Sequence, residues 1–249
     1  MVGTQVPENI LNVEIVGIVG VSVAVLATVI FGNVAAINKL KAAGKSISAM
    51  HWFPTLFSLF LTVESLTCSL TGVYELWLDQ LYAPSAPAIV IPIFVMLGYS
   101  YTSKSLREML EVTPTWWLFI PHLTRFSGLL ILMLVWEGAL APHVGLPIGW
   151  GDILCAVLAG PAAWWVWSRS NGWRNVLIGF GVLGVFDYIL SLQLTVWTLP
   201  LPIRLIHTEL DSTVLAFWPV GVAPTLYVPL LYLTLFSMFI RAKQLKSSG

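Results

Sequence analysis

Residues 175–199 read NVLIGFGVLGVFDYILSLQLTVWTL, a run in which the single charged side chain is Asp187. An α-helix rises about 1.5 Å per residue, so a run of this length crosses the ~30 Å hydrocarbon core of a bilayer. The stretch therefore sets the fold class, a transmembrane helix, and it poses the functional question. A carboxylate at mid-bilayer costs at least about 2.5 kcal/mol unless it faces protein or water.

The rest of the chain has the same solvent. Hydrophobic residues make up 57% of the 249 positions and charged residues 10%. The mean hydropathy is +0.86. A soluble domain could not cover that much apolar surface. Formal net charge is zero, and without a basic tract there is no electrostatic footprint for nucleic acid. The bilayer is the partner that composition implies.

A window of about 19 residues gives seven spans. They are Val13–Ile37, Phe53–Trp77, Ala86–Tyr101, Thr115–Leu140, Trp150–Ser168, Arg174–Leu199 and Ala216–Ile240. The third is crowded by Pro84, Pro87 and Pro92, which would shorten or kink it. The first lacks the basic n-region and small-residue cleavage site of a signal peptide, so it reads as a retained helix. The expected fold is an all-α integral membrane protein, one polytopic domain over residues 1–249, with seven transmembrane helices. The polar KQLKSSG at the C-terminus reads as a frayed tail.

Loop charge orients the spans, because Lys and Arg near membrane ends stay cytosolic. Lys39, Lys41 and Lys45 follow span one, and Lys104 and Arg107 follow span three. Arg169 and Arg174 follow span five, and Arg241, Lys243 and Lys246 follow span seven; the opposite loops carry Arg204 alone. The N-terminus is thus expected outside and the C-terminus in the cytosol. Many of the 12 Trp fall near span ends, as an aromatic belt requires. Trp136, Trp164, Trp165 and Trp197 lie further in, and some of them are expected to line an internal cavity.

Cys68 and Cys155 lie inside spans without a CxxC spacing, and His51, His122, His143 and His207 are scattered, so no metal or haem site is expected. No GxxxxGKS, GxGxxG or GxSxG stretch occurs, which removes the common nucleotide and serine-hydrolase readings. No cofactor is expected.

The ionisable residues inside spans carry the functional signal. From helical rise, Glu64 lies ~18 Å into span two, Arg125 ~15 Å into span four and Asp187 ~20 Å into span six. The three are expected to face one another near the midplane. On a helical net Glu64, Cys68, Thr71 and Glu75 share one face of span two, and His122, Arg125, Trp136 and Glu137 share a broader face of span four. Glu75, Asp79, Glu137 and Asp152 lie toward the outer side, so a polar path from the midplane would open outward or to the outer leaflet. Taken alone, Asp152 in GWGDIL reads as a cap on the first turn of span five, and His122 as a packed, hydrogen-bonded ring.

Two carboxyls against one Arg leave one without a full counter-charge, so one of them is expected in its neutral, proton-bearing form. A buried acid among aromatic rings suits acid-initiated cyclisation or isomerisation of a lipophilic small-molecule substrate: the acid protonates an alkene or epoxide, and ring faces stabilise the cation. Asp187 or Glu64 is the expected catalytic acid, with Arg125, His122, Trp136, Glu137 and Asp152 in supporting or substrate-binding roles.

In size, in span number, and in having one acid in the second helix (FLTVESL at Glu64) and another late in the chain, the sequence resembles the seven-helix membrane-bound terpene cyclases of fungal meroterpenoid pathways. The resemblance implies a terpenoid-like substrate. Residues 115–240, with RFSGLLILMLVWEGALAPHVGLPIGWGDILCAVLAG and NVLIGFGVLGVFDYIL, are also similar to uncharacterised bacterial polytopic membrane proteins. A retinal-linked pump is excluded, since span seven holds no Lys for the Schiff base.

Other readings stand beside the enzyme. A midplane Asp with an Arg partner also suits a proton-coupled small-molecule carrier, although no inverted repeat is visible. The same residues also suit a non-catalytic membrane assembly protein whose ion pairs fix helix register.

Overall fold

The computed structural model describes residues 8–71, 85–199, 205–210, 212–216 and 220–247, and among these there is no strand. Helix α1 is Glu8–Ala42, α2 is Ala49–Leu70, α3 is Ser85–Thr102 and α4 is Lys104–Val112. A 3₁₀ helix, Thr115–Ser127, runs on as α5, Gly128–Trp136. Then come α6, Pro142–Trp167, and α7, Trp173–Thr198. A π-helical turn, Ala223–Tyr227, opens α8, Val228–Ser247. Six continuous helical segments are long and apolar enough to cross a membrane, and α3 with α4, bent by 76°, makes a seventh candidate as a pair.

The packing suits helices that cross a membrane. Along α6 the buried stripe is Gly145, Ile148, Gly149, Asp152, Cys155, Ala156, Ala159, Ala162 and Val166, which follows the i, i+3, i+4, i+7 rhythm of one helix face. Its members are mostly small. The large apolar side chains Trp150, Leu154, Val157, Trp164 and Trp165 point outward instead. Small residues let helix backbones approach closely where lipid offers no hydrophobic drive for association. Helix α8 lies at the centre, packed on α1, α3, α4, α7 and the 3₁₀ helix.

The basic residues gather at one end. Lys39 Nζ donates to the Val112 carbonyl at 3.2 Å, Arg174 Nε to the Ala242 carbonyl at 2.9 Å, and Gln244 Nε2 to the Arg107 carbonyl at 3.0 Å. Lys45 pairs with Glu111 at 3.5 Å. The end of α1, all of α4, the start of α7 and the end of α8 therefore share one face of the bundle, as alternating loop charge requires.

Several expectations are corrected. The segment after span three is an amphipathic helix, α4, that turns Leu106, Met109 and Leu110 inward. The C-terminal KQLKSSG is not frayed through its length, since α8 continues to Ser247 and Gln244 anchors it to Arg107. Span five begins at Pro142 and not at Trp150. Pro142 occupies the first helical turn, where its missing N–H costs nothing, and Gly138 at φ 70° makes the tight turn before it. Pro92 is accommodated inside α3. Glu75, Asp79, Pro84 and Arg204 lie outside the described residues.

Candidate functional site

The 3₁₀ helix sets the geometry of the site. It has three residues per turn, so side chains three apart eclipse one another. Its buried positions, Thr115, Leu118, Phe119, Pro121, His122 and Arg125, follow that spacing. Pro121, inside the segment, is a poor fit to a regular α-helix at this point. The result is one face that carries His122 and Arg125 into the bundle, both fully buried. Trp136 and Glu137, placed on the same face by an α-helical net, are exposed, Trp136 by 70%.

Arg125 holds two carboxylates. Its Nε donates to Asp152 Oδ1 at 2.7 Å, and its Nη2 donates to Asp187 Oδ2. Its guanidinium carbon lies 4.2 Å from the centroid of the Tyr188 ring, a cation over an aromatic face. Glycines admit the cluster. A Cβ at Gly151 would meet Asp187 Oδ1, and one at Gly184 would lie 3.5 Å from Arg125 Nη1.

The expected trio is thus rearranged. Asp187 is on Arg125 as expected, and the second carboxylate is Asp152. Because α6 starts ten residues before Asp152, this residue is mid-helix and faces the bundle, so it is no cap. Glu64 is half-buried on α2, which packs on α1, α4 and the turn before α8. Among the described residues the carboxylates on Arg125 are Asp152 and Asp187. Asp152 is expected near the outer edge when span five is started at Trp150; the start of α6 at Pro142 moves it to a middle level, and helix adjacency then brings it, rather than Glu64, to Arg125.

Beside the cluster lies a cavity of about 140 Å³ whose wall includes Asp152. Ile89 and Ile93 of α3, Ile131 of α5 and Leu192 of α7 supply apolar wall, and Ser191, Thr195 and Ser212 add hydroxyls. Tyr188, Tyr227 and Tyr232 line the side next to Asp152. Tyr227 shares a 3.1 Å hydrogen bond with Ser127 Oγ, and the Tyr188 and Tyr232 rings lie 5.2 Å apart. The cavity sits in the half of the bundle away from the basic end. Its aromatic walls are tyrosines: Trp136, Trp164 and Trp165 are exposed on the outer surface, where large rings suit the lipid boundary. Sequence reasoning missed these tyrosines. Tyr188 directly follows Asp187, and Tyr227 and Tyr232 flank Pro229, but nothing in their spacing marks them as neighbours.

His122 joins a different set of contacts. Its Nε2 is 2.9 Å from Thr234 Oγ1, and its ring packs edge-on against Phe180 at 5.1 Å. Thr234 also lines a second cavity, of about 80 Å³, in the basic half of the bundle, with Thr28, Asn33, Trp117 and Ser237.

Residues 83–242 match a protein family described as a domain of unknown function, DUF8737. The chain belongs to the DUF8737 family. The matched region holds Arg125, Asp152, Asp187, His122 and every wall residue of the larger cavity. Helices α1 and α2, with Glu64, precede the DUF8737 region. No curated protein and no solved structure matches the chain.

Proposed function

We propose that this chain is a multi-pass membrane enzyme that takes a lipophilic, terpenoid-like molecule into the tyrosine-lined cavity and isomerises or cyclises it with a proton from the Asp152–Arg125–Asp187 centre. The observation that carries the reading is Asp152, which is at once a wall residue of an apolar cavity and a partner of a fully buried Arg that holds a second carboxylate. Two carboxyls on one guanidinium carry an excess negative charge when both are ionised, and a low-dielectric site favours one shared proton. Asp152 presents that proton to the cavity. The electron-rich tyrosine faces beside it suit a developing carbocation. In this reading seven spans cross the bilayer, the basic end faces the cytosol, and the larger cavity lies in the outer half.

Extracted membrane lipids from cells making the wild type, Asp152→Asn, Asp187→Asn and Glu64→Gln test it by chromatography and mass spectrometry. Both Asp variants, where they fold, are expected to lose a product that shares its precursor's mass and differs in retention, and Glu64→Gln is expected to keep it. Product formation that survives both Asp variants would sink the reading.

A second reading rests on the second cavity. Hollows on opposite sides of a buried charged centre also suit a proton-coupled carrier. It takes precedence if the Asp variants abolish pH-dependent uptake of a lipophilic solute into vesicles while lipid composition stays unchanged.

A further inference from the structure

His122 lies between the two cavities. Thr234 Oγ1 is 2.7 Å from the Leu231 carbonyl and 2.9 Å from His122 Nε2. In the tautomer that satisfies both contacts, the hydroxyl donates its one hydrogen to the carbonyl and accepts from Nε2–H. Nδ1 is left as a bare lone pair. It is buried and has no hydrogen-bond partner among the described residues. Arg125 Nη1, a donor, is buried and likewise without a partner there. An acceptor and a donor, both buried and without partners among the described residues, thus belong to residues three apart on one 3₁₀ face, where side chains eclipse, and bridging such pairs is the usual role of internal water.

We infer that His122 is a proton relay joining the Asp152–Arg125–Asp187 centre to the cavity at the basic end. The inference rests on the acid centre described above, and it adds a route by which protons reach and leave it. A proton leaves the Asp187 carboxyl, held on the neighbouring Nη2, crosses the water held by Arg125 Nη1, and bonds to His122 Nδ1. The Nε2 hydrogen passes to Thr234 Oγ1 as the Thr234 hydrogen passes to a water of the smaller cavity. One proton has moved, the carboxyl has become a carboxylate, and cavity water has become hydronium. Return of the ring to its first tautomer resets the relay, and the reverse order recharges the acid. Groups facing the ring are Arg125 on its own element, Phe180 on α7 and Thr234 on α8. Phe180 and Phe119, 5.0 Å apart, pack beside the ring as apolar neighbours. Asp152 ends the route in the larger cavity, so the path runs from one half of the bundle to the other.

The full chain in liposomes that enclose a pH-sensitive dye, with a potassium gradient and valinomycin as the driving potential, tests the relay without any substrate. Wild-type protein is expected to carry protons several-fold faster than protein-free liposomes. His122→Phe keeps a ring against Phe180 and should fall to the protein-free rate. Thr234→Val, nearly isosteric, should lose most of the flux. In His122→Ala, added imidazole should restore flux, which a merely structural His would not allow. Wild-type flux equal to that of empty liposomes, or unchanged flux in both His122→Phe and Thr234→Val, overturns the relay. The acid-centre reading is judged separately, by product loss in Asp152→Asn, so either can fail while the other stands.

Discussion

Arg125 governs the energetics of the site. Its side chain is fully buried between two carboxyl groups on different helices, so removing it strands that pair without a counter-ion or a hydrogen-bond donor in a low-dielectric interior. Loss of one partner of such a cluster costs about 3–5 kcal/mol, whereas replacing the whole cluster by apolar groups of similar size is often neutral. Arg125→Met is therefore expected to lower stability by about 3–5 kcal/mol, measured by thermal unfolding in detergent. Arg125→Met combined with Asp152→Leu and Asp187→Leu is expected to recover most of it. A triple variant that folds well yet makes no product separates chemistry from architecture, while a triple variant that keeps the product makes the cluster structural. At this scale Asp187 was legible, because a lone carboxylate in residues 175–199 had to find a partner. Asp152 was not, because the glycines and the proline before it resemble a loop, and a carboxylate after a loop resembles a cap.

Those glycines belong to the packing of α6. A Cβ at Gly128 would run into the backbone carbonyl of Gly149, and one at Gly149 would stand 2.9 Å from the carbonyl of Gly128. The two backbones touch because neither residue has a side chain, and this contact holds α6 against the junction of the 3₁₀ helix and α5. Gly128→Ala is expected to cost about 1–3 kcal/mol, the usual penalty of overpacking, since a backbone cannot step aside. Gly160 is on α6, the helix of Gly149, with nothing within 4 Å of a built Cβ. Gly160→Ala is expected to be neutral or to stabilise by up to about 1 kcal/mol from helix propensity. Equal unfolding temperatures for the two variants would remove the close-contact account. Rules learned from water led to a late start for span five, because Gly and Pro end helices there but serve as contact surfaces in lipid. The 3₁₀ stretch was hidden for a related reason. A period of 3.6 groups His122 and Arg125 with Trp136, and a period of 3.0 separates them. Residues 115–127 hold no signal that selects between the two except Pro121.

For the molecule as a whole, the polarity of the bundle decides what each cavity can meet. Lys39, Lys45, Arg107, Arg174 and Gln244 are tied together at one end by bonds between α1, α4, α7 and α8. If that end is cytosolic, the smaller cavity and His122 face the cytosol, and the tyrosine-lined cavity faces the outer half of the bilayer. Single cysteines test this in a background with Cys68 and Cys155 replaced by Ser and Ala. Asn171 and Glu209 are both exposed, Asn171 in the turn before α7 and Glu209 in the segment between α7 and α8. With a maleimide that does not cross membranes, Glu209→Cys is expected to react in intact cells and Asn171→Cys only after the membrane is opened. The reverse pattern would turn the molecule over: the relay would then draw protons from outside, and the lipophilic cavity would open toward the inner half. Reaction of both cysteines in intact cells would mean that α7 does not cross the bilayer, and the depth argument that brought Asp187 and Arg125 together would lose its basis even though the two residues touch.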